Sequence, residues 1–143
     1  LNCRTGNCTG GSNPPFSAKL CRKSPAGMFD FEKLDVYQLT KDQNVKVLSF
    51  LKKIKDADPY ILDQWKRASV SSLLNLAEGT GRMVDADKRH FLTISRGDIF
   101  ESVAILDLLN SQNLIPENVY QELYTNYEQI SKMLLGMYRS YAK

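Results

Sequence analysis

The apolar residues of this chain recur at steps of three and four along four successive stretches, a spacing that places them on one face of a helix. The predicted helices span residues 35 to about 55, 59 to 81, 85 to about 110, and 116 to the C-terminus. No run of alternating apolar and polar residues, and no Asn-Gly or Asp-Gly hairpin signal, separates them. The pattern therefore predicts an all-α fold.

Residues that favour helix starts stand before these stretches. The expected N-terminal caps are aspartates: Asp30 or Asp35, Asp58, and Asp85 or Asp87. Lys52, Lys53 and Lys55 are predicted in the last turn of the first helix, where the helix dipole favours cations. The links between helices are short, so the sequence predicts an antiparallel up-down-up-down four-helix bundle over residues 28–143.

The second helix carries a face of small and apolar side chains, which lets a neighbouring helix approach closely. That face consists of Ala68, Ser69, Ser72, Leu76 and Ala77. Trp65, the only tryptophan, is predicted to anchor the core rather than to stack on a ligand.

Glycines are expected to have structural roles at two places. Glu78 and Arg82 stand four residues apart in the order that favours an ion pair on a helix. Between them, Gly79 and Gly81 are predicted to take positive φ and to end the second helix in a glycine cap. Gly97, inside the third helix, is expected to let another helix cross closely, at a cost of about 1 kcal/mol relative to alanine.

Residues 1–27 are rich in Gly, Asn, Ser, Thr and Pro and show no hydrophobic period, which predicts a flexible tail outside the fold. Met28 is the expected natural start, preceded by added or upstream-translated sequence; a basic tail that grips phosphate is the alternative. Cys3, Cys8 and Cys21 all lie in this tail without a fourth ligand, so no metal site is predicted. With no cysteine elsewhere and no signal or membrane-spanning segment, we expect a cytoplasmic protein without membrane contact.

The motifs of common enzyme classes are missing from the sequence. The single histidine, His90, has no glutamate three residues before it, which argues against a di-iron centre. No phosphate loop, dinucleotide fingerprint or nucleophile elbow occurs, and the serines of the second helix lack a suitably spaced histidine. The sequence predicts a non-enzymatic protein with no cofactor.

Charge is unevenly divided along the chain. The first 28 residues contain four basic residues and no acid, so the remainder is nearly neutral although the formal net charge is +3. Candidate phosphate contacts in the bundle are Lys66, Arg67, Arg82, Lys88, Arg89 and Arg96. If the second and third helices are antiparallel, Arg82, Lys88 and Arg89 gather at one end. Two interpretations stay open: sequence-independent binding of nucleic-acid phosphates, or a solvated face of a bundle that interacts with proteins.

Three motifs carry a resemblance to a known family. They are FEKLDVY at residues 31–37; Arg67-Ala68 with Asn75, Ala77, Glu78, Gly79, Gly81 and Arg82; and FLTISRG at residues 91–97, ending in Gly97 and followed by Glu101. In this order and spacing, the chain from about Phe29 resembles the four-helix bundle proteins encoded by intervening sequences in bacterial 23S ribosomal RNA genes, often labelled S23 ribosomal proteins. It departs from that family at Ser71-Ser72-Leu73, where a Ser-Ile-Pro-like step is usual, and at Asp98, where the residue is usually small.

The resemblance implies assembly into a ring, a homopentamer. It also implies kinship with the accessory proteins of diversity-generating retroelements, which bind nucleic acid and a reverse transcriptase. Structured RNA, RNA/DNA and a reverse transcriptase are therefore the expected partners. The ribosomal label rests on gene location and implies no place in the ribosome.

Overall fold

The computed structural model describes residues 29–143 of the chain. These residues form four α-helices and one short 3₁₀ helix, with no strand among them, so the all-α prediction is confirmed. The helices are α1 (Asp35–Leu51), α2 (Pro59–Gly81), α3 (Asp85–Ser111) and α4 (Glu117–Ser140), preceded by the 3₁₀ helix Asp30–Lys33. The predicted tail, residues 1–27, lies outside the described residues. None of the described helices is long and apolar enough to cross a membrane.

The helices pack side by side in sequence order, and α1 also packs against α4, which closes the bundle. The side-chain amide of Gln43 donates to the carbonyl of Leu123 at 3.0 Å. Further along α1, Lys46 pairs with Glu122, which is earlier in α4. Residue numbers therefore rise along α1 as they fall along α4, and the two helices are antiparallel.

The first helix is about one turn shorter than predicted. Its last residue is Leu51, so Lys52, Lys53 and Lys55 lie in the link to α2 rather than in a last helical turn. The N–H of Lys53 bonds back to the carbonyl of Phe50 at 2.9 Å, which closes the end of the helix.

Only one of the predicted aspartate caps is observed. The carboxylate of Asp58 accepts a hydrogen bond from the Tyr60 N–H at 2.8 Å, at the start of α2. The residues before α1 and α3 are Leu34 and Val84, which make no capping bond, so the caps predicted there are wrong. The chain enters both helices from an extended conformation instead.

Trp65 anchors the core, as predicted. Its indole is fully buried, and its Nε1–H donates to the hydroxyl of Tyr127 at 3.1 Å. The ring of Phe50 meets the indole edge-on at a centroid distance of 6.2 Å. Burial raises the pKa of Tyr127 above its ordinary value, although hydrogen bonds to Ser69 and Trp65 oppose the shift. The neutral hydroxyl thus ties α2 to α4 across the centre of the bundle.

The buried face of α1 is more polar than its hydrophobic period suggests. Its buried residues are Val36, Thr40, Gln43, Asn44 and Val47. Asn44 donates its side-chain amide to the carbonyl of Ser69 on α2 at 2.6 Å, while the amide of Gln43 bonds to α4. Because each buried amide finds a particular carbonyl, these hydrogen bonds fix the position of α1 in the groove between α2 and α4.

The glycine cap predicted for α2 is wrong. Neither Gly79 nor Gly81 has a positive φ; both lie inside the helix, which ends where Arg82 becomes extended at φ −74° and ψ 144°. A Cβ added at Gly79 would lie 2.9 Å from the Cβ of Phe91 on α3, whereas a Cβ at Gly81 would meet nothing within 4 Å. Gly79 is therefore a site of close helix approach. The small face of α2 also contacts α3, because the hydroxyl of Ser95 donates to the carbonyl of Ser72 at 2.7 Å.

The close crossing predicted at Gly97 does not occur among the described residues. A Cβ there would meet nothing within 4 Å, because Gly97 faces outward from α3. The next residue, Asp98, turns toward α2 and accepts hydrogen bonds from Ser71 at 2.7 Å and Asn75 at 3.2 Å. The two departures from the family pattern thus contact each other, and α2 continues unbroken through Ser71.

Candidate nucleic-acid interface

Three of the predicted basic residues lie at the end of the bundle where α2 turns into α3. Arg82 is the first residue after α2, while Lys88 and Arg89 lie in the first two turns of α3. We call Arg82, Lys88 and Arg89 the turn cluster. The backbone carbonyl of Lys88 lies 3.5 Å from the Cβ position of Gly79, so close packing of α2 on α3 brings both sides of the cluster together.

Two members of the turn cluster are held over aromatic rings. The guanidinium carbon of Arg82 lies 4.6 Å from the ring centroid of Phe91, and the Lys88 ammonium lies 4.9 Å from that of Tyr141. Such contacts contribute about 0.5–1 kcal/mol at exposed sites. The rings restrict where these two charges can be, which favours a fixed pair of cations over two freely moving side chains.

Carboxylates accompany the same two cations. Arg82 forms an ion pair with Glu78, as predicted from their spacing, and Lys88 lies 3.3 Å from a carboxylate oxygen of Asp85. Among residues 29–143, half-buried Arg89 forms no ion pair. Exposed ion pairs contribute only about 0–1 kcal/mol, so a phosphate could replace either carboxylate at small cost.

The structure does not bring Lys66 and Arg67 to the turn cluster. Arg67 lies fourteen residues before Gly81, the last residue of α2, a distance of about 21 Å along the helix axis. Arg67 is paired with Asp63 at 2.7 Å, and exposed Lys66 lines a separate groove between α1 and α2. The six predicted residues therefore do not form one continuous surface.

Arg96 belongs to a different surface, the crevice between α3 and α4. Its Nε–H donates to the hydroxyl of Ser131 on α4 at 3.2 Å, and its guanidinium carbon lies 4.7 Å from the ring centroid of Phe100. Arg96 lies two turns beyond Lys88, so only its position on α3 links it to the turn cluster.

A groove of about 440 Å³ runs along this crevice beside Arg96. Exposed Gly97, Phe100 and Tyr138 line it, and a second groove of about 280 Å³ continues past Arg96 to Tyr124. Helical periodicity alone does not single out these aromatic residues, because they lie at the border between the core stripe and solvent. The signal that could have found them is the matched spacing of basic residues on both helices, at 89 and 96 and at 132 and 139.

Comparisons with known proteins agree on the fold. The family model described as "23S rRNA-intervening sequence protein" matches residues 32–136. A crystal structure of a protein of unknown function from the S23 ribosomal protein family of Bacteroides thetaiotaomicron superimposes with a TM-score of 0.69 at 20% sequence identity. The superposition covers 72% of this chain and 97% of the other. No curated protein matches this chain.

Proposed function

The chain belongs to the 23S rRNA-intervening sequence protein family, and from that premise we propose that it is a non-enzymatic, cytoplasmic bundle protein that binds the phosphates of structured RNA or an RNA/DNA hybrid. The turn cluster is the proposed contact surface. The observation that carries this proposal is that Arg82 and Lys88 are held over aromatic rings at one end of the bundle, beside Arg89.

Phosphate binding suits this arrangement because it needs positive charge without base-specific geometry. Both ring-bound cations keep donor N–H groups, and each has a partly exposed carboxylate partner that a phosphate can displace. Binding of this kind weakens steeply with salt, because each contacted phosphate releases condensed counterions.

The direct test replaces Arg82, Lys88 and Arg89 by glutamine, which removes three charges and keeps the aliphatic stems. Anisotropy of a labelled RNA hairpin is titrated across a range of salt. We expect the slope of log affinity against log salt to fall by about 2 to 3, at roughly one phosphate for each cation removed.

The matched control replaces Lys52, Lys53 and Lys55 by glutamine. These exposed lysines lie at the opposite end of the bundle, so the control changes net charge equally and should leave the salt slope almost unchanged. Both comparisons use a chain in which Arg4, Lys19, Arg22 and Lys23 are replaced by serine, so the basic N-terminal segment contributes no binding. Equal slopes for the two triple variants would reject the turn cluster as the contact surface.

We further propose that the protein assembles into a ring, a homopentamer. The resemblance to the S23 proteins supports this, as do the exposed apolar side chains of Leu74 on α2 and Leu108 on α3. A ring needs a head-to-tail contact between two different surfaces of each copy. Analytical ultracentrifugation at micromolar concentration is expected to give five times the 16.2 kDa of one chain; a mass of one chain would contradict the ring.

A second candidate function is a protein-interaction bundle, such as an accessory subunit of a reverse transcriptase, without direct nucleic-acid contact. The observation that favours it is Met83, which is 95% exposed in the α2–α3 link beside exposed Val84. Exposed apolar residues beside charged ones are common in protein interfaces. Absence of RNA binding by the wild-type protein, even at low salt, would favour this function.

A further inference from the structure

We infer that the α3–α4 crevice binds unstacked nucleobases, so that the protein prefers single-stranded or looped nucleic acid to a continuous duplex. This inference rests on the proposed function and adds a second contact surface to it. The crevice is the pair of adjoining grooves that share Arg96 and Phe100.

Three partly exposed aromatic rings follow the crevice. Tyr124 and Tyr138 stand fourteen residues apart on α4, about 21 Å along the helix, and Phe100 of α3 lines both grooves between them. The Phe100 side chain is 56% exposed, although core positions lie close by on the same helix. Aromatic rings at such intervals give successive bases surfaces on which to stack, at about 1–3 kcal/mol for each base.

The guanidinium of Arg96 has a fixed position in the middle of the crevice. Its hydrogen bond to Ser131 on the opposite helix and its contact with the Phe100 ring hold it from two sides. Planar guanidinium groups stack on bases as aromatic rings do, and their charge also attracts the backbone. Arg96 and Phe100 together thus form a stacking platform rather than a charge on a flexible arm.

Positive charge borders the crevice on both sides. Arg96 of α3 and Lys132 of α4 line the grooves from opposite helices, and Arg139 follows Lys132 by seven residues on the same face of α4. One carboxylate lines the grooves, that of Glu128, and it forms an exposed ion pair with Lys132. The lining therefore holds two cations, Arg96 and Lys132, against one carboxylate, and this net positive charge suits a phosphate backbone lying along the crevice.

The same charges disfavour the other occupants of an apolar groove. A second copy of this chain or a partner helix would bury the Arg96 guanidinium in the middle of the crevice. No carboxylate of residues 29–143 pairs with Arg96, and a charge buried without a partner is costly. A duplex would place phosphates near the cations, but its stacked bases would leave the three rings without partners. Single-stranded nucleic acid satisfies both the rings and the charges.

The test uses the full chain, a labelled 12-nucleotide single-stranded RNA without self-complementarity, and the duplex of the same strand. For Phe100→Ala we expect the affinity for the single strand to fall about fivefold or more, the lower limit for loss of one stacked base. Affinity for the duplex and the salt slope are expected to stay unchanged, because no charge is removed. Phe29→Ala, which removes an exposed ring near α1 and α2, is the matched control and should change neither affinity.

Phe100→Trp keeps an aromatic surface and adds a fluorophore, so it separates stacking from loss of structure. We expect near-wild-type affinity for the single strand and quenching of the introduced indole on binding. Two results would overturn the inference. One is an affinity of Phe100→Ala for the single strand that equals that of the wild type. The other is a particle mass of Phe100→Ala that differs from that of the wild type, which would show that a second copy covers the crevice. The proposed function would then stand if the turn-cluster variant still lowers the salt slope, whereas both fail if the wild-type protein binds neither RNA.

Discussion

Asn44→Asp is expected to lower the free energy of unfolding by about 3–5 kcal/mol at pH 7, the usual cost of leaving a charge buried without a partner. Asn44 is 4% exposed, and its amide donates to the carbonyl of Ser69 at 2.6 Å. A carboxylate in its place would set oxygen against oxygen at that contact. The side-chain oxygen of Asn44 has no donor among the described residues, so nothing is in place to stabilise a negative charge.

The deficit should depend on pH in a definite direction. Burial raises the pKa of an aspartate, so the folded variant binds a proton more tightly than the unfolded chain, whose value is about 3.9. The penalty is therefore complete above the folded pKa and shrinks as pH falls toward the unfolded value. At pH 5 the protonated carboxyl group can also donate to the Ser69 carbonyl, which restores the lost hydrogen bond.

Urea unfolding at pH 7 and pH 5, at one protein concentration, measures both effects. Asn118→Asp makes the same chemical change at an exposed position in the first turn of α4, where a negative charge is mildly favourable. It should differ from the wild type by less than about 1 kcal/mol at either pH. Similar stabilities for the two variants, or a deficit at Asn44 that does not shrink at pH 5, would show that the Asn44 hydrogen bond to Ser69 does not hold α1 against α2.

The sensitivity of Asn44 illustrates what hydrophobic periodicity can and cannot predict. The period identifies α1 as a helix and Val36 and Val47 as buried, because apolar spacing is a property of the local sequence. It does not identify the carbonyl that each buried amide will meet. Ser69 and Leu123, which accept from Asn44 and Gln43, are 25 and 80 residues away in the chain.

Some helix ends are likewise predictable from the local sequence, whereas others depend on contacts with another helix. Asp58 caps α2 through an N–H two residues ahead, so a local sequence rule finds it. The glycines at 79 and 81 look like a local cap, but Gly79 is needed for the approach of Phe91 on another helix. Gly97 shows the opposite error: a close helix contact was predicted there, but none is present among the described residues.

The sequence predicted part of the candidate site, and the part that it missed depends on contacts between residues distant in the chain. Antiparallel packing of α2 and α3 follows from their short link, and it suffices to bring Arg82 near Lys88. The rings beneath them do not follow from it: Tyr141 comes from the far end of the chain. Arg96 was expected to contact phosphate, but its contacts with Ser131 and Phe100 depend on how α3 packs on α4.

The second large effect is expected at the α2–α3 contact. Gly79→Ala should lower the free energy of unfolding by about 1–3 kcal/mol, the usual cost of overpacking. The new methyl group would lie 2.9 Å from the Cβ of Phe91, an atom fixed to its own backbone, so α3 itself would have to move. The gain in helix propensity, up to about 1 kcal/mol, offsets only part of this cost.

Gly81→Ala is the matched control, because the same methyl group there meets nothing within 4 Å and φ is not positive. Its stability should equal or exceed that of the wild type by up to about 1 kcal/mol, since alanine restricts the unfolded chain more than glycine does. The two variants, made two residues apart on one helix, should thus differ by about 1–4 kcal/mol in urea unfolding. If Gly81→Ala is destabilised, α2 ends in a glycine cap after all. If Gly79→Ala is as stable as the wild type, α2 and α3 are not in close contact at Gly79.

The Gly79 contact also connects stability to the proposed function. Phe91 lies beneath the guanidinium of Arg82, and the backbone of Lys88 borders the same contact. A shift of α3 away from α2 would therefore separate the cations on the two sides of the turn cluster without removing any charge. For Gly79→Ala that still folds, we expect weaker binding of the RNA hairpin at a given salt concentration, while Gly81→Ala binds as the wild type does. Equal RNA affinities for the two variants would show that phosphate binding does not depend on how closely the α2–α3 contact holds the cluster together.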